Sequence, residues 1–112
     1  MAKYLILIFR DEKVKAPVSD GPVDPEYLEF MDRRAGALLS GGALESSETA
    51  TSVRRDGAGG FLITDGPFAE SKEALGGYYL IEAADLDEAL EIAKEVPAPH
   101  GGVEVRPVWA VS

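Results

Sequence analysis

The chain has 112 residues, with 11 Lys and Arg against 20 Asp and Glu and a formal net charge of −9. At 46% apolar and 28% charged residues it reads as one soluble globular domain spanning 1–112, with room for a single core. The acidic excess argues against a phosphate-backbone partner, so no nucleic acid is expected, and the lack of cysteine excludes disulfides, thiolate metal sites and a thiol nucleophile.

No apolar run approaches the ~18 residues that span a bilayer. Met1-Ala2-Lys3-Tyr4 leads directly into a strand rather than into a signal-peptide core. A cytoplasmic protein without a membrane partner is the expectation. Tyr4 to Phe9 (YLILIF) is apolar at every position, which is strand length and too short for a typical helix. Tyr4, Ile6 and Ile8 then share one face and Leu5, Leu7 and Phe9 the other, so both faces need cover. Residues 11–23 form a polar loop containing Ser19-Asp20-Gly21-Pro22, a turn sequence long enough to serve as a lid.

Asp24-Pro25 starts a helix, with a capping carboxylate and proline at the first helical position. Tyr27, Leu28, Met31, Ala35, Leu38 and Leu39 recur at helical spacing, which predicts a helix over 24–40 ended by Gly41-Gly42. Residues 49–54 read as a strand that returns through Asp56-Gly57 into Phe61-Leu62-Ile63-Thr64, with a loose tip over 57–60. That second strand cannot continue past Asp65-Gly66-Pro67-Phe68, because Pro67 lacks an N–H and Gly66 admits φ values closed to other residues. Gly76-Gly77 then releases the chain into a strand over 77–83, rich in aromatic and branched residues.

Asp85-Leu86-Asp87-Glu88 is acidic at both the cap and the third position, a capping-box start. Leu86, Ala89, Leu90, Ala93 and Val96 form its expected buried stripe, and Pro97 stops it. The acidic side of this helix reads as a solvated face. A loop over 97–102 leads to a last strand over 103–111, where Val103 and Val105 share one face and Glu104 and Arg106 the other. The order is βαββαβ with one extra edge strand, an α+β pattern.

Asp65-Gly66-Pro67-Phe68, the following Ala69-Glu70-Ser71-Lys72, and Gly76-Gly77-Tyr78-Tyr79 together resemble the signature of the DGPF-type branch of the YCII-related (YciI-like) family. Ser40-Gly41-Gly42-Ala43-Leu44 and Val103-Glu104-Val105-Arg106-Pro107-Val108 resemble it too. The resemblance implies a ferredoxin-like α+β subunit that pairs into a dimeric α+β barrel. The doubly apolar first strand asks independently for a second copy, since helices cover one face of such a sheet and no third layer exists in the chain.

Candidate catalytic groups are Asp65, at the tip of its turn, and His100, the only histidine. Asp65 also suits a structural role, the more ordinary one, as a carboxylate accepting a backbone N–H and pinning the loop. Candidate ligand-binding residues are Arg106, Glu104, Tyr78, Tyr79 and Glu70, with Lys72 beside the last. A guanidinium in a partly dry cleft needs a carboxylate, a ligand or water, and Glu104 lies two residues away. Related YCII proteins pair a histidine near the first helix with an aspartate near the end of the second. Here residues 24–40 hold no histidine and the later segment reads Val96-Pro97-Ala98, so that pair has no counterpart. No metal, and no dinucleotide or other cofactor, is expected, because the scattered carboxylates and glycine pairs have no recognised ligand spacing. Two functions follow. One is a homodimer binding a small molecule in a cleft between sheets, either as a binder or as a cofactor-free lyase, isomerase or hydrolase. The other is a protein-interaction module, because DGPF-type proteins are in some cases joined to or encoded beside extracytoplasmic-function sigma factors.

Overall fold

The computed structural model describes residues 1–13, 25–68 and 72–110. Strands β1 (Ala2–Arg10), β2 (Leu38–Ala43), β5 (Ala74–Ala83) and β6 (Gly101–Pro107) form one antiparallel sheet in the order β2-β5-β1-β6. Helices α1 (Pro25–Arg33) and α2 (Leu86–Lys94) pack on one face of that sheet. Strands β3 (Thr51–Arg55) and β4 (Phe61–Asp65) make a separate two-stranded sheet inserted between β2 and β5. The protein is thus α+β, and its four-stranded order fits the ferredoxin-like expectation.

β1 is central because both of its edges are paired, with β5 on one side and β6 on the other. Its Tyr4, Ile6 and Ile8 are buried in the core with Tyr79, Ile81 and Ala83 of β5. Phe30 of α1 and Ala89, Ile92 and Ala93 of α2 close that core from above. The Phe30 and Tyr79 rings lie 5.1 Å apart at 53°, a tilted pair. Burial raises the Tyr79 phenol above its ordinary pKa, with a smaller push from Tyr27.

The structure corrects the first helix. It ends at Arg33, turns through Arg34 to Ala37, and Leu38–Ala43 is a strand on the free edge of β5. Ala35, Leu38 and Leu39 do fit a helical stripe, but hydrogen bonding to β5 outweighs that local spacing. The glycine pair read as a helix stop lies inside the strand. A Cβ on Gly41 would sit 2.6 Å from the Tyr79 ring, and one on Gly42 would sit 3.2 Å from the Tyr78 ring. Each glycine therefore makes room for a tyrosine, one on each face of the sheet. The cap expected at Asp24 lies outside the described residues, as do 14–23 of the preceding loop.

The extra strand is also reassigned. The hairpin is no edge of the main sheet, and β2 takes the place that β3 was expected to fill. β5 begins earlier than expected, at Ala74, so Gly76-Gly77 is part of it. A Cβ on Gly77 would lie 2.9 Å from the Gly42 carbonyl oxygen, which explains a glycine within a strand.

α2 starts as the sequence predicts. Asp85 accepts from the Glu88 N–H at 2.9 Å, and the Glu88 carboxylate reaches back to the Ala84 N–H at 3.2 Å. Its buried stripe is rotated from the expected one: Ala89, Ile92, Ala93 and the following Val96 are inside, while Leu86 and Leu90 are exposed. Small side chains at 89 and 93 suit a close helix–sheet approach that leucines would hold apart. Glu95 joins the helix ends, accepting from Arg33 Nε at 2.9 Å and from Arg34 in a forked pair. β6 stops at Pro107, short of the strand expected over 103–111, of which Val111 lies outside the described residues.

Candidate ligand cleft and open sheet face

The face of the sheet turned away from the helices is built by strand alternation. It carries Leu5, Leu7 and Phe9 from β1, Tyr78 and Leu80 from β5, and Glu104 and Arg106 from β6. Leu7 stands between Tyr78 and Glu104, and Leu5 between Leu80 and Arg106. Val103 and Val105 pack toward the core, as their alternation predicts. Arg106 Nε donates to Glu104 Oε2 at 2.6 Å, with the two side chains 70% and 45% exposed. Exposed to water, such a pair contributes little, about 0–1 kcal/mol, and gains weight only if something covers it. Tyr78 lies on this face over Gly42, whereas Tyr79 is on the opposite face, inside the core. The two tyrosines therefore do not line one site.

At the end of this face, where β1 finishes and β5 begins, lies an open cleft of about 1080 Å³. Phe9, Leu44 and Leu75 give it an apolar floor, while Lys13, Lys72, Glu45, Glu73 and Ser47 stand among its polar lining, two cations beside two carboxylates. Pro67 brings the Asp65–Phe68 turn to the same cleft. One wall is held by Glu12, which accepts from the Ser47 N–H at 2.8 Å and from the Ser47 hydroxyl. Those bonds, the hydroxyl's first, keep the Glu12 carboxyl below its ordinary pKa. The Ser47 hydroxyl proton is thereby committed, which leaves its oxygen as an acceptor. Glu12 and Ser47 carry no mark of a site in the sequence. They are 35 positions apart, and no local pattern joins them.

The turn at Asp65 is pinned by its neighbours. Gly66 has φ +102°, its N–H donates to the Ala50 carbonyl at 2.7 Å, and its own carbonyl accepts from the buried Ser52 hydroxyl at 2.6 Å. The Asp65 side chain is exposed and accepts no hydrogen bond among the described residues. His100 is half-buried at the start of β6, and its carbonyl accepts from the Asp11 N–H at 2.9 Å. Neither Asp65 nor His100 is among the described residues that line the cleft. Glu70 lies outside the described residues. Among those described, no three His, Asp or Glu side chains are placed to hold a metal ion, and no helix is long and apolar enough to cross a membrane.

Comparison with known proteins adds two findings. The family model of the YCII-related domain matches residues 2–112. An uncharacterized protein of Rhizobium meliloti (strain 1021) is similar at 36% identity over 118 residues, covering 94% of this chain and 90% of the relative.

Proposed function

The chain belongs to the YCII-related family, and from that premise we propose that it is a homodimeric binder of a small organic acid, held in the cleft at the end of the open sheet face. The cleft itself carries this reading. Its floor suits the apolar part of a ligand, Lys13 and Lys72 supply cations for a carboxylate on a wall they share with Glu45 and Glu73, and Ser47 offers a fixed acceptor. A second copy lies over Leu5, Leu7 and Leu80, giving the dimeric α+β barrel from two ferredoxin-like subunits. Arg106 and Glu104 stand on that shared face, where the pair tunes the register of the two copies. The lowered pKa of Glu12 makes it a weak proton acceptor, which favours binding over turnover of the lyase, isomerase or hydrolase type.

Benzoate and anilinonaphthalene sulfonate, each an aromatic body with one anionic group, test this by amide chemical-shift titration. Saturable shifts at Ser47, Lys72 and Leu75, abolished in the double variant Lys13→Met, Lys72→Met, are expected. Shifts that map elsewhere, or that survive the double variant, overturn the assignment. Arg106→Met should weaken dimerisation and leave the cleft shifts in place; the reverse pattern would move the ligand to Arg106.

A further inference from the structure

We propose that the ligand of the cleft is a zwitterion, an apolar body that carries an ammonium beside its carboxylate as an α-amino acid does, with the ammonium taken up by Glu45 and the acceptors next to it. This rests on the reading of the cleft as a carboxylate site and adds the second charge. The lining holds both signs without letting them cancel. Lys13, Lys72 and Glu45 all border the cleft, and none of the three takes part in an ion pair among the described residues. Opposite charges kept apart on one concave surface offer separate partners to the two charges of a dipolar ligand.

The segment that carries Glu45 is short of side-chain donors. Ser47 gives its hydroxyl proton to Glu12, and Thr49 gives its own to the Ser46 carbonyl at 2.8 Å. Both oxygens are left as acceptors, and the Glu45 carboxylate accepts as well. Of the three hydroxyls bordering the cleft here, that of Ser46 alone keeps its proton among the described residues. A bare carboxylate has no proton to give these groups and meets Glu45 as a like charge, whereas an ammonium brings three donors to them. The segment is also set before a ligand arrives. Ser47–Thr49 is a single 3₁₀ turn, closed by the Thr49 N–H donating to the Ser46 carbonyl at 3.0 Å. On one side the Leu44 N–H donates to the Gly76 carbonyl at 2.9 Å, and on the other the Ala50 carbonyl accepts from Gly66. Acceptors tied in this way to β5 and to the Asp65–Phe68 turn need little reordering on binding. Leu44 and Leu75 are 42% and 38% exposed, so an apolar side group laid on them leaves water. The charge of the whole chain points the same way. At −9 its field opposes the approach of a simple anion, and a ligand without net charge does not meet that barrier.

Three ligands of one skeleton separate the charges: phenylalanine, 3-phenylpropionate, which lacks the amine, and 2-phenylethylamine, which lacks the carboxylate. Each is titrated against the full chain and read from the amide shifts of Leu44, Ser47 and Leu75. Phenylalanine should bind about tenfold more tightly than either of the others. Glu45 is exposed and makes no hydrogen bond or ion pair among the described residues, so Glu45→Gln should fold as the unmodified protein does. In that variant the dissociation constant of phenylpropionate divided by that of phenylalanine should fall from about ten to about one. Equal affinity for these two ligands in the unmodified protein, or a ratio that survives Glu45→Gln, overturns the zwitterion assignment and leaves the acid reading standing. Phenylethylamine binding as tightly as phenylalanine would show that the carboxylate contributes nothing, and both readings then fall. Cleft amides that none of the three ligands shifts would overturn both as well.

Discussion

Leu7 is the place to weigh the open face. It sits mid-sheet, half-buried by its neighbours Tyr78 and Glu104, with both helices on the other side. Fully burying a leucine is worth about 1.5–3 kcal/mol, so covering the remaining half gains roughly 1 kcal/mol per copy and about 2 kcal/mol for a symmetric pair. Leu7→Asp forfeits that gain and adds an unpartnered carboxylate beside Glu104, at a cost of at least about 1 kcal/mol in each copy. The total of about 4 kcal/mol corresponds to a dissociation constant raised roughly a thousandfold. Within a lone protomer the same change replaces a half-exposed leucine and leaves the helix-side core intact, so far-ultraviolet circular dichroism should not change. Sedimentation equilibrium from nanomolar to micromolar concentration reads the shift. A dissociation constant altered less than about threefold would refute the covered face, because a surface residue left in water carries no such penalty.

Four further outcomes follow from the same geometry. Phe30 is the fully buried residue of α1 and meets the Tyr79 ring, so Phe30→Ala should cost about 3–5 kcal/mol and lower Tm by about 15 °C or more in thermal denaturation. Ser52→Ala removes the hydroxyl that holds the Gly66 carbonyl and should cost about 1 kcal/mol. Asp65→Asn should leave Tm unchanged, since the carboxylate holds nothing among the described residues; a clear drop would return the pinning role to Asp65. Arg34, then Arg33, lower the Glu95 carboxyl from its ordinary value of 4.5 to about 2. Because the folded-state pKa lies below the unfolded one, this stabilisation is complete above pH 4.5 and is lost as pH falls toward about 2. Thermal melts should therefore weaken more steeply across that window in the unmodified protein than in Glu95→Gln, and equal slopes would dismiss the linkage.

Much of the architecture could be read in the chain because it depends on short-range chemistry. Uninterrupted apolar residues over 4–9 mark a central strand, Asp85 with Glu88 marks a helix start, and Gly66-Pro67 ends β4 where backbone limits require. Alternation alone sent Val103 and Val105 to the core and Glu104 and Arg106 to the open face. Local pattern failed wherever two distant segments compete for one partner. Residues 38–43 carry a spacing that suits a helix, and they became a strand because β5 offers an open edge and two tyrosine rings need glycine beneath them. The same holds for α2, whose leucines turned outward when its alanines met the sheet. The cleft belongs wholly to tertiary structure. Its lysines, its leucine floor and the Glu12–Ser47 pair come from separate stretches of chain, and only the sheet order brings their ends together. Spacing along a sequence encodes contacts one turn or one pleat away; which strand edge is free, and what then gathers at its end, is decided by hydrogen bonds and packing between segments that the sequence keeps apart.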